Sequence, residues 1–209
     1  MSKSNIFYGQ FKPQQDKYLY DNFFKDIYDG VSIEAGASNG LLENNTKFFE
    51  DTLNWKTISI EPLPDWYEEL VINRPNNLNI NKCLHPFSSG NIVDFYIPKL
   101  ELHGYKNHLG SLNLSTVDKY NTTNKKISVE TITYNDVIDK FNIDKLNLFT
   151  LDIEGYEIDF LQSFNKWKVY PEVFVVEVGH ISAEKLNKII LEKYSLYGKH
   201  FVNNIYTLN

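Results

Sequence analysis

Acidic residues stand where apolar, strand-like segments end in this 209-residue chain. The segment "LNLFTLD" ends in Asp152, and Glu154 lies in the turn that follows. The later segment "EVFVVEV" carries Glu177 and leads into His180. Because the carboxyl ends of parallel strands meet at one edge of a sheet, these side chains are predicted to lie together. Such a group can take a proton from a hydroxyl, and we assign catalysis to Asp152, Glu154 and His180.

The same group of side chains can hold one hard divalent cation, such as Mg²⁺ or Mn²⁺. The sequence predicts Asp152, Glu177 and His180 as its ligands. The cation would orient an acceptor or assist its deprotonation without being strictly required. Glu157, at the start of the next predicted helix, is interpreted as an acid that stabilises the helix N-terminus.

A glycine turn follows the first predicted strand, in "VSIEAGASNG" at 31–40. Gly36 and Gly40 would let the backbone approach a ligand and let helix and strand pack closely. The turn lacks the G-x-G-x-x-G spacing of a dinucleotide site. Glu34, just ahead of the glycines, would repel a pyrophosphate but suits a ligand with a positive charge.

A second acid, Glu61, ends "TISIEP" about twenty residues beyond the glycine turn, where an acid hydrogen-bonds ribose hydroxyls. A cofactor with an adenosine and a positive charge fits both acids, which makes S-adenosylmethionine (SAM) the predicted cofactor. The predicted binding residues are Glu34, Gly36, Ala37, Ser38, Asn39, Gly40, Glu61, Pro62 and Asp152.

Strand-like and helix-like segments alternate, which is typical of parallel strands joined by crossover helices. A helix is predicted before Gly30. Strands are predicted at 31–35, 56–61, 77–84, 146–152, 172–178 and 200–207, and helices at 41–53, 64–74, 157–164 and 183–194. Two further strands flank a long polar loop between 85 and 132, and long loops of this kind are usually functional or mobile.

Length, composition and charge limit the classes of protein. We expect one α/β domain over 1–209, with 1–30 as an N-terminal helical extension. The net charge of −6 and the scattered basic residues argue against a nucleic-acid partner. No apolar run approaches the ~20 residues of a membrane span, so we expect a soluble, cytoplasmic protein. The single cysteine, Cys83, is interpreted as a small buried apolar residue.

The abundance of Asn and Lys and the shortage of Ala indicate an AT-rich coding sequence, either viral or from an AT-rich bacterium. A viral protein of this type would work in the host cytoplasm.

Seven segments resemble the FkbM-type SAM-dependent methyltransferases, in the same order. They are "FYGQ" with "QDKYLYDNFF", then "IEAGASNG", "NTKFFEDTLNWKTISIEPLPDWYEEL", "GSLNLS", "VETITYNDVI" and "FTLDIEGYEIDFLQSF". The resemblance implies a Rossmann-like class I methyltransferase fold, which is an α/β fold whose seven-stranded, mostly parallel sheet has helices on both faces. It also implies methylation of a hydroxyl of a sugar in a glycan or glycoconjugate, and contact between Ser111 and the cofactor. The chain departs from the family in carrying Glu34 where an aspartate is usual, and in the longer "GQFKPQQDK".

Alternatives to this function remain open. The acceptor could be the hydroxyl of another small molecule. An NAD(P)-dependent oxidoreductase shares the sheet but would need a third glycine and a hydride-transfer site. A binding protein that has lost catalysis is a poorer match because "LDIEGYE" is intact. Aromatic residues that could contact a sugar are Tyr105, Tyr120 and Tyr156.

Overall fold

The computed structural model describes residues 6–98, 110–118 and 124–209. Its ten strands are β1 Val31–Ala35, β2 Lys56–Ile60, β3 Leu78–Ile80, β4 Cys83–Leu84, β5 Ile92–Pro98, β6 Asn124–Ile132, β7 Leu148–Leu151, β8 Val173–Glu177, β9 Tyr194–His200 and β10 Asn203–Leu208. Its α-helices are α1 Gln15–Leu19, α2 Lys47–Leu53, α3 Pro64–Asn73, α4 Leu114–Asp118, α5 Tyr134–Lys140, α6 Glu157–Phe160 and α7 Ala183–Ile190. A π-helical turn, Tyr20–Phe24, continues α1, and a 3-10 helix, Leu161–Lys166, continues α6.

Seven strands form the main sheet in the order β3-β2-β1-β7-β8-β10-β9. The pairs from β3 to β8 are parallel, and the last two pairs, β8 with β10 and β10 with β9, are antiparallel. The predicted α/β fold with a seven-stranded, mostly parallel sheet is therefore confirmed. A smaller sheet, β4-β6-β5, stands beside it.

Both faces of the main sheet are covered by helices, as predicted. Successive residues of β7 point to opposite sides: Leu148 packs against α2 and the N-terminal helical segment, whereas Phe149 packs against α5, α6 and α7. Residues of β8 alternate in the same way, with Val175 on the first side and Phe174 on the second. Strands buried on both faces read as continuous apolar runs, which is why these segments were recognisable.

The predicted helix at 41–53 is wrong in its first turn and a half, because α2 begins at Lys47. Side chains in the preceding loop bond to the local backbone instead. The Asn39 side-chain oxygen accepts from the N–H groups of Leu41 and Leu42, and that of Asn44 accepts from Thr46 and Lys47. Such bonds compete with helix formation and keep 41–46 as an extended loop.

The predicted terminal strand at 200–207 is present as β10, which begins at Asn203 and forms a hairpin with β9, a strand that was not predicted. The turn consists of Phe201 and Val202, and Phe201 has a φ of 54°. A phenylalanine in the left-handed region gives no sequence signal for a turn, since glycine or asparagine is usual there. The predicted strand at 77–84 also divides, into β3 and β4 of different sheets.

Within the described ranges, no helix has the length and apolar character that crossing a membrane requires.

Candidate cofactor and catalytic site

A cavity opens at the carboxyl ends of β1, β2 and β7, where the fold predicts a ligand site. Its empty volume is about 970 Å³, counted to the open mouth. Among the residues that the structure describes, the charged members of its wall are five carboxylates and one lysine: Glu34, Glu43, Glu61, Asp152, Glu154 and Lys82. Carboxyl groups therefore outnumber basic groups in the described wall, which favours a positively charged ligand.

The predicted cofactor-binding residues divide into two groups. Those that line the cavity are Glu34, Gly36, Ser38, Glu61, Pro62 and Asp152. Those that are not part of its wall are Ala37, Asn39, Gly40 and Ser111. Ser111 is buried between two lining residues, Gly110 and Leu112, and its hydroxyl accepts from the N–H of Asn113.

The glycine turn is fixed by close contacts with its neighbours. Gly36 and Gly40 have φ values of +81° and +76°. A Cβ on Gly36 would lie 1.9 Å from the carbonyl oxygen of Asp152, and one on Gly40 would lie 2.5 Å from Leu70 Cδ1. The sequence predicted these glycines for approach to a ligand and for close packing of helix and strand. The contacts with Asp152, just after β7, and with Leu70 on α3 show the close packing.

Gly36→Ala is expected to destabilise the fold by at least ~2 kcal/mol more than Gly90→Ala. Gly90 is a matched control because its φ is +77°, yet an added Cβ meets only Glu130 Oε1, at 3.9 Å. Both substitutions introduce left-handed strain of about 1–2 kcal/mol, whereas only the first forces a Cβ into backbone. Urea unfolding followed by circular dichroism gives both free energies. Equal losses would show that the contact with Asp152 relaxes without cost.

Glu61 fastens the end of β2 to the glycine turn. Its carboxylate accepts from the N–H groups of Ser38, at 2.9 Å, and Leu63, at 2.8 Å. Burial raises the pKa of Glu61 to about 7, although both hydrogen bonds favour the charged form. The side chain lines the cavity beside the turn, as predicted for a ribose-binding acid.

Glu34 is engaged by the protein itself. Its two oxygens accept from the N–H of Asn45, at 2.7 Å, and from the Thr46 hydroxyl, at 2.6 Å. Burial raises its pKa, and the nearby Arg74 guanidinium opposes that shift. Glu34 therefore ties β1 to the loop that precedes α2, while its carboxyl remains part of the cavity wall.

Arg74, at the end of α3, was not singled out in the sequence analysis. It is completely buried and forms ion pairs with Glu50 and Glu34. Its guanidinium also donates to two side chains of β2, Thr57 and Ser59, and to two of the loop before α2, Asn44 and Thr46. Its rarity could have identified it from the sequence, because Arg74 is the single arginine among 21 lysine and arginine residues.

Asp152 lies directly after β7, and its side chain is exposed to the cavity. The strand was predicted to end at Asp152, and it ends one residue earlier, at Leu151. The pKa of Asp152 is raised well above its usual range because protein encloses the cavity and because Glu154, Glu177 and Glu157 add negative charge. A carboxyl in this environment binds a proton more readily than one at the surface.

Glu157 and Glu177 complete a compact group with Asp152. One carboxylate oxygen from each lies within 4.8 Å of the others. Glu157 is fully buried, and its Oε1 accepts from the N–H groups of Ile153 and Gly155. Burial raises the pKa of Glu157 to about 7.

The predicted cation ligands were Asp152, Glu177 and His180, and the structure brings the first two together. Glu157, and not His180, joins Asp152 and Glu177 in the group that could hold a cation among the described residues. The chain turns sharply between β7 and α6, where Glu154 and Gly155 both have positive φ, and this turn brings Glu157 back toward Asp152. His180 Nε2 lies 3.3 Å from Glu154 Oε2.

Several residues of the cavity wall complete the site. Tyr156 lines it together with Phe95, whereas Tyr105 and Tyr120 lie outside the described residues. Cys83 is buried in the wall as a free thiol, and burial raises its pKa to about 12. A neutral thiol is not nucleophilic, which agrees with the interpretation of Cys83 as a small buried residue.

The family model described as the methyltransferase FkbM domain matches residues 34–200. The chain belongs to the FkbM-type methyltransferase family. The matched range begins at Glu34 and contains the glycine turn, Glu61 and the acidic group around Asp152, and the resemblance stated from the motifs is confirmed. The strand order of the main sheet is that of the class I methyltransferase fold, which confirms the predicted fold class. SAM use is accordingly expected of this FkbM-type domain.

Several solved structures are similar to this chain at low sequence identity. The fibrillarin pre-rRNA processing protein of Methanococcus jannaschii has a TM-score of 0.45 and 12% identity, and the match covers 86% of this chain and 66% of that one. The METTL16 MTase domain has a TM-score of 0.48 and 8% identity, and the match covers 95% of this chain and 68% of that one. The human methyltransferase 10 domain containing protein has a TM-score of 0.43 and 9% identity, and the match covers 94% of this chain and 82% of that one. No curated protein matches the sequence.

Proposed function

We propose that this FkbM-type domain is a SAM-dependent O-methyltransferase that methylates a hydroxyl of a sugar in a glycan or glycoconjugate. The observation that carries the proposal is the charge of the cavity, whose described wall residues include five carboxylates and one lysine. SAM brings a sulfonium and an ammonium group into this field, and its ribose offers two hydroxyls to Glu61. A negative, partly enclosed wall strengthens such interactions because water screens them less.

An NAD(P)-dependent oxidoreductase is disfavoured by two features of the same cavity. Its carboxylates would repel a pyrophosphate. Moreover, a dinucleotide site places the pyrophosphate at a helix N-terminus that follows the glycine turn directly. Here the turn ends at Gly40 and α2 begins only at Lys47, so the intervening loop replaces that arrangement.

The proposed reaction is an in-line displacement. The acceptor hydroxyl oxygen attacks the methyl carbon of SAM, the carbon–sulfur bond breaks, and sulfur keeps the electron pair as S-adenosylhomocysteine is formed. The hydroxyl proton passes to the carboxylate of Asp152, which faces the cavity. The protein contributes mainly by holding the three reacting atoms in line and by excluding water.

The pair of Glu154 and His180 offers the proton a route to solvent. Both side chains are partly exposed, and Nε2 of His180 lies 3.3 Å from Glu154 Oε2. Glu154 lines the cavity together with Asp152. We assign to this pair the transfer of the proton from Asp152 to the solvent, since His ionises near neutral pH.

Two aromatic residues of the cavity wall could contact the acceptor. Tyr156 and Phe95 offer aromatic surface on which the apolar face of a sugar ring can pack. Burial raises the pKa of Tyr156 to about 12, so its hydroxyl stays neutral and can donate to a sugar oxygen. An RNA acceptor is disfavoured because its phosphates would meet carboxylates in the cavity and a chain with a net charge of −6.

Glu61→Gln is expected to weaken SAM binding by roughly 1–3 kcal/mol at pH 8. Glu61 has a raised pKa of about 7, so it is charged at pH 8 and largely neutral at pH 6. SAM affinity of the native protein should therefore fall as the pH is lowered, and the difference from Glu61→Gln should shrink toward pH 6. Calorimetry at pH 6, 7 and 8 measures both. Glu68→Gln, an exposed acid on α3, is the control for net charge. If the difference in SAM affinity between the native protein and Glu61→Gln stays constant with pH, the charge of Glu61 does not contribute to SAM binding.

The acceptor class is tested with methyl-labelled SAM and three sets of candidates: a glycan panel, small hydroxyl compounds and RNA. Label in a glycan supports the proposal. Label only in small hydroxyl compounds or only in RNA refutes the sugar acceptor and keeps the methyltransferase. Thermal protection by NAD, without protection by SAM or S-adenosylhomocysteine, would refute SAM as the cofactor.

A further inference from the structure

We infer that Asp152, Glu157 and Glu177 form a binding site for one small, hard divalent cation, Mg²⁺ or Mn²⁺. One oxygen of each carboxylate lies within 4.8 Å of the other two. In an octahedral site with bonds of about 2.1 Å, ligand oxygens are separated by roughly 3 Å when adjacent and by roughly 4.2 Å when opposite. The three oxygens therefore lie close enough together to be ligands of one ion.

Two of these carboxylates have an oxygen without a partner. Oε2 of Glu157 and Oε2 of Glu177 are both buried and make no hydrogen bond within the described part of the chain. Glu157 is 0% exposed and Glu177 is 7% exposed. A buried carboxylate oxygen without a donor is costly, and a proton, a bound water or a cation removes that cost.

The charge of these carboxylates is not balanced by a lysine or arginine. In the ranges that the structure describes, no lysine or arginine forms an ion pair with Asp152, Glu157 or Glu177. Glu154, in the same turn, adds a further carboxylate close by. Buried groups of like charge are normally paired or bound to a metal. A divalent cation would compensate most of the charge of this group.

The other oxygens of the two glutamates indicate a small cation. Oε1 of Glu157 accepts from the N–H groups of Ile153 and Gly155, and Oε1 of Glu177 accepts from that of Gly179. Each glutamate therefore offers a single ligand oxygen. Ca²⁺ takes six to eight oxygens, whereas Mg²⁺ and Mn²⁺ keep several waters and need few carboxylates. The remaining positions would face the cavity on the side of Asp152, which is exposed there.

Cation binding goes beyond the proposed function and does not require it. Only its consequence for turnover rests on that function: a cation here would bind the acceptor hydroxyl and favour loss of its proton. Asp152 has two oxygens, so one can bind the cation while the other accepts the proton.

The test is a titration with Mn²⁺, without SAM or acceptor, in which the free ion is followed by electron paramagnetic resonance. The native protein is expected to bind one Mn²⁺ per chain, with displacement by Mg²⁺. Glu157→Gln keeps the carbonyl that accepts from Ile153 and Gly155 and replaces the unpaired oxygen by nitrogen, so it should weaken Mn²⁺ binding at least ~10-fold. Glu43→Gln removes the same charge from another part of the wall and should leave binding within about threefold.

Two results would overturn the inference: absence of Mn²⁺ binding by the folded native protein, or equal weakening by Glu157→Gln and Glu43→Gln. If Glu157→Gln does not fold, Glu177→Gln takes its place, because it keeps the bond from Gly179 and also removes an unpaired oxygen. If the protein does not bind the cation, methyl transfer can still be observed with labelled SAM. An inactive protein, conversely, can still bind Mn²⁺, so the two failures are distinguishable.

Discussion

Asp152→Asn is expected to lower the turnover number for methyl transfer by at least ~10²-fold, with little loss of SAM affinity. Asparagine keeps the shape of the side chain and removes the charge that accepts the hydroxyl proton. The position is favourable for such a group because Asp152 faces the cavity, where enclosure by the protein and, after it, the neighbouring carboxylates raise its pKa. Single-turnover kinetics with labelled SAM give the rate, and calorimetry gives the affinity.

Asp159→Asn is the matched control for this prediction. It makes the same substitution on α6, where the Asp159 carboxylate accepts from Gln162 and is not part of the cavity wall. Its turnover should equal that of the native protein. If Asp152→Asn also works at the native rate, the charge is not catalytic, and positioning of acceptor and cofactor must carry the reaction. A chelator should lower the native activity only if the cation assists deprotonation, which separates the two roles of Asp152.

The site residues that the sequence located are those placed by regular structure. Glu34, Glu61 and Asp152 stand at or just after the ends of apolar strands, and parallel strands bring such positions to one edge of a sheet. The structure shows these three residues in one cavity wall. Strand periodicity and order were sufficient for this result, because the strand segments are buried on both faces and are easily recognised.

The parts that the sequence misplaced depend on local backbone conformation and on side-chain contacts. The loop at 41–46 is held by Asn39 and Asn44, whose bonds replace a helical turn that the apolar pattern predicts equally well. Glu157 takes the place predicted for His180 in the acidic group because of a turn in which Glu154 and Gly155 both have positive φ. Residue type alone does not specify such a turn, since a glutamate rarely adopts it.

Arg74→Met is expected to lower the free energy of unfolding by about 3–5 kcal/mol, the cost of leaving buried charges without their partner. The guanidinium is 0% exposed, and it joins Glu50 on α2, Glu34 on β1 and four polar side chains. Methionine fills much of the same volume but satisfies none of these groups. Because whole domains are stable by only about 5–15 kcal/mol, the variant should unfold at much lower urea concentration.

Two further variants decide whether charge or geometry is responsible. Lys188→Met removes an exposed ion pair with Glu184 on α7 and should change stability by less than ~1 kcal/mol. Arg74→Lys keeps the charge but loses the planar fork with which Nε and Nη2 both donate to Glu50, so most of the loss should persist. If Arg74→Lys instead leaves the protein as stable as the native one, charge alone suffices. The structure would then not require arginine at position 74, the one position where the chain carries arginine instead of lysine.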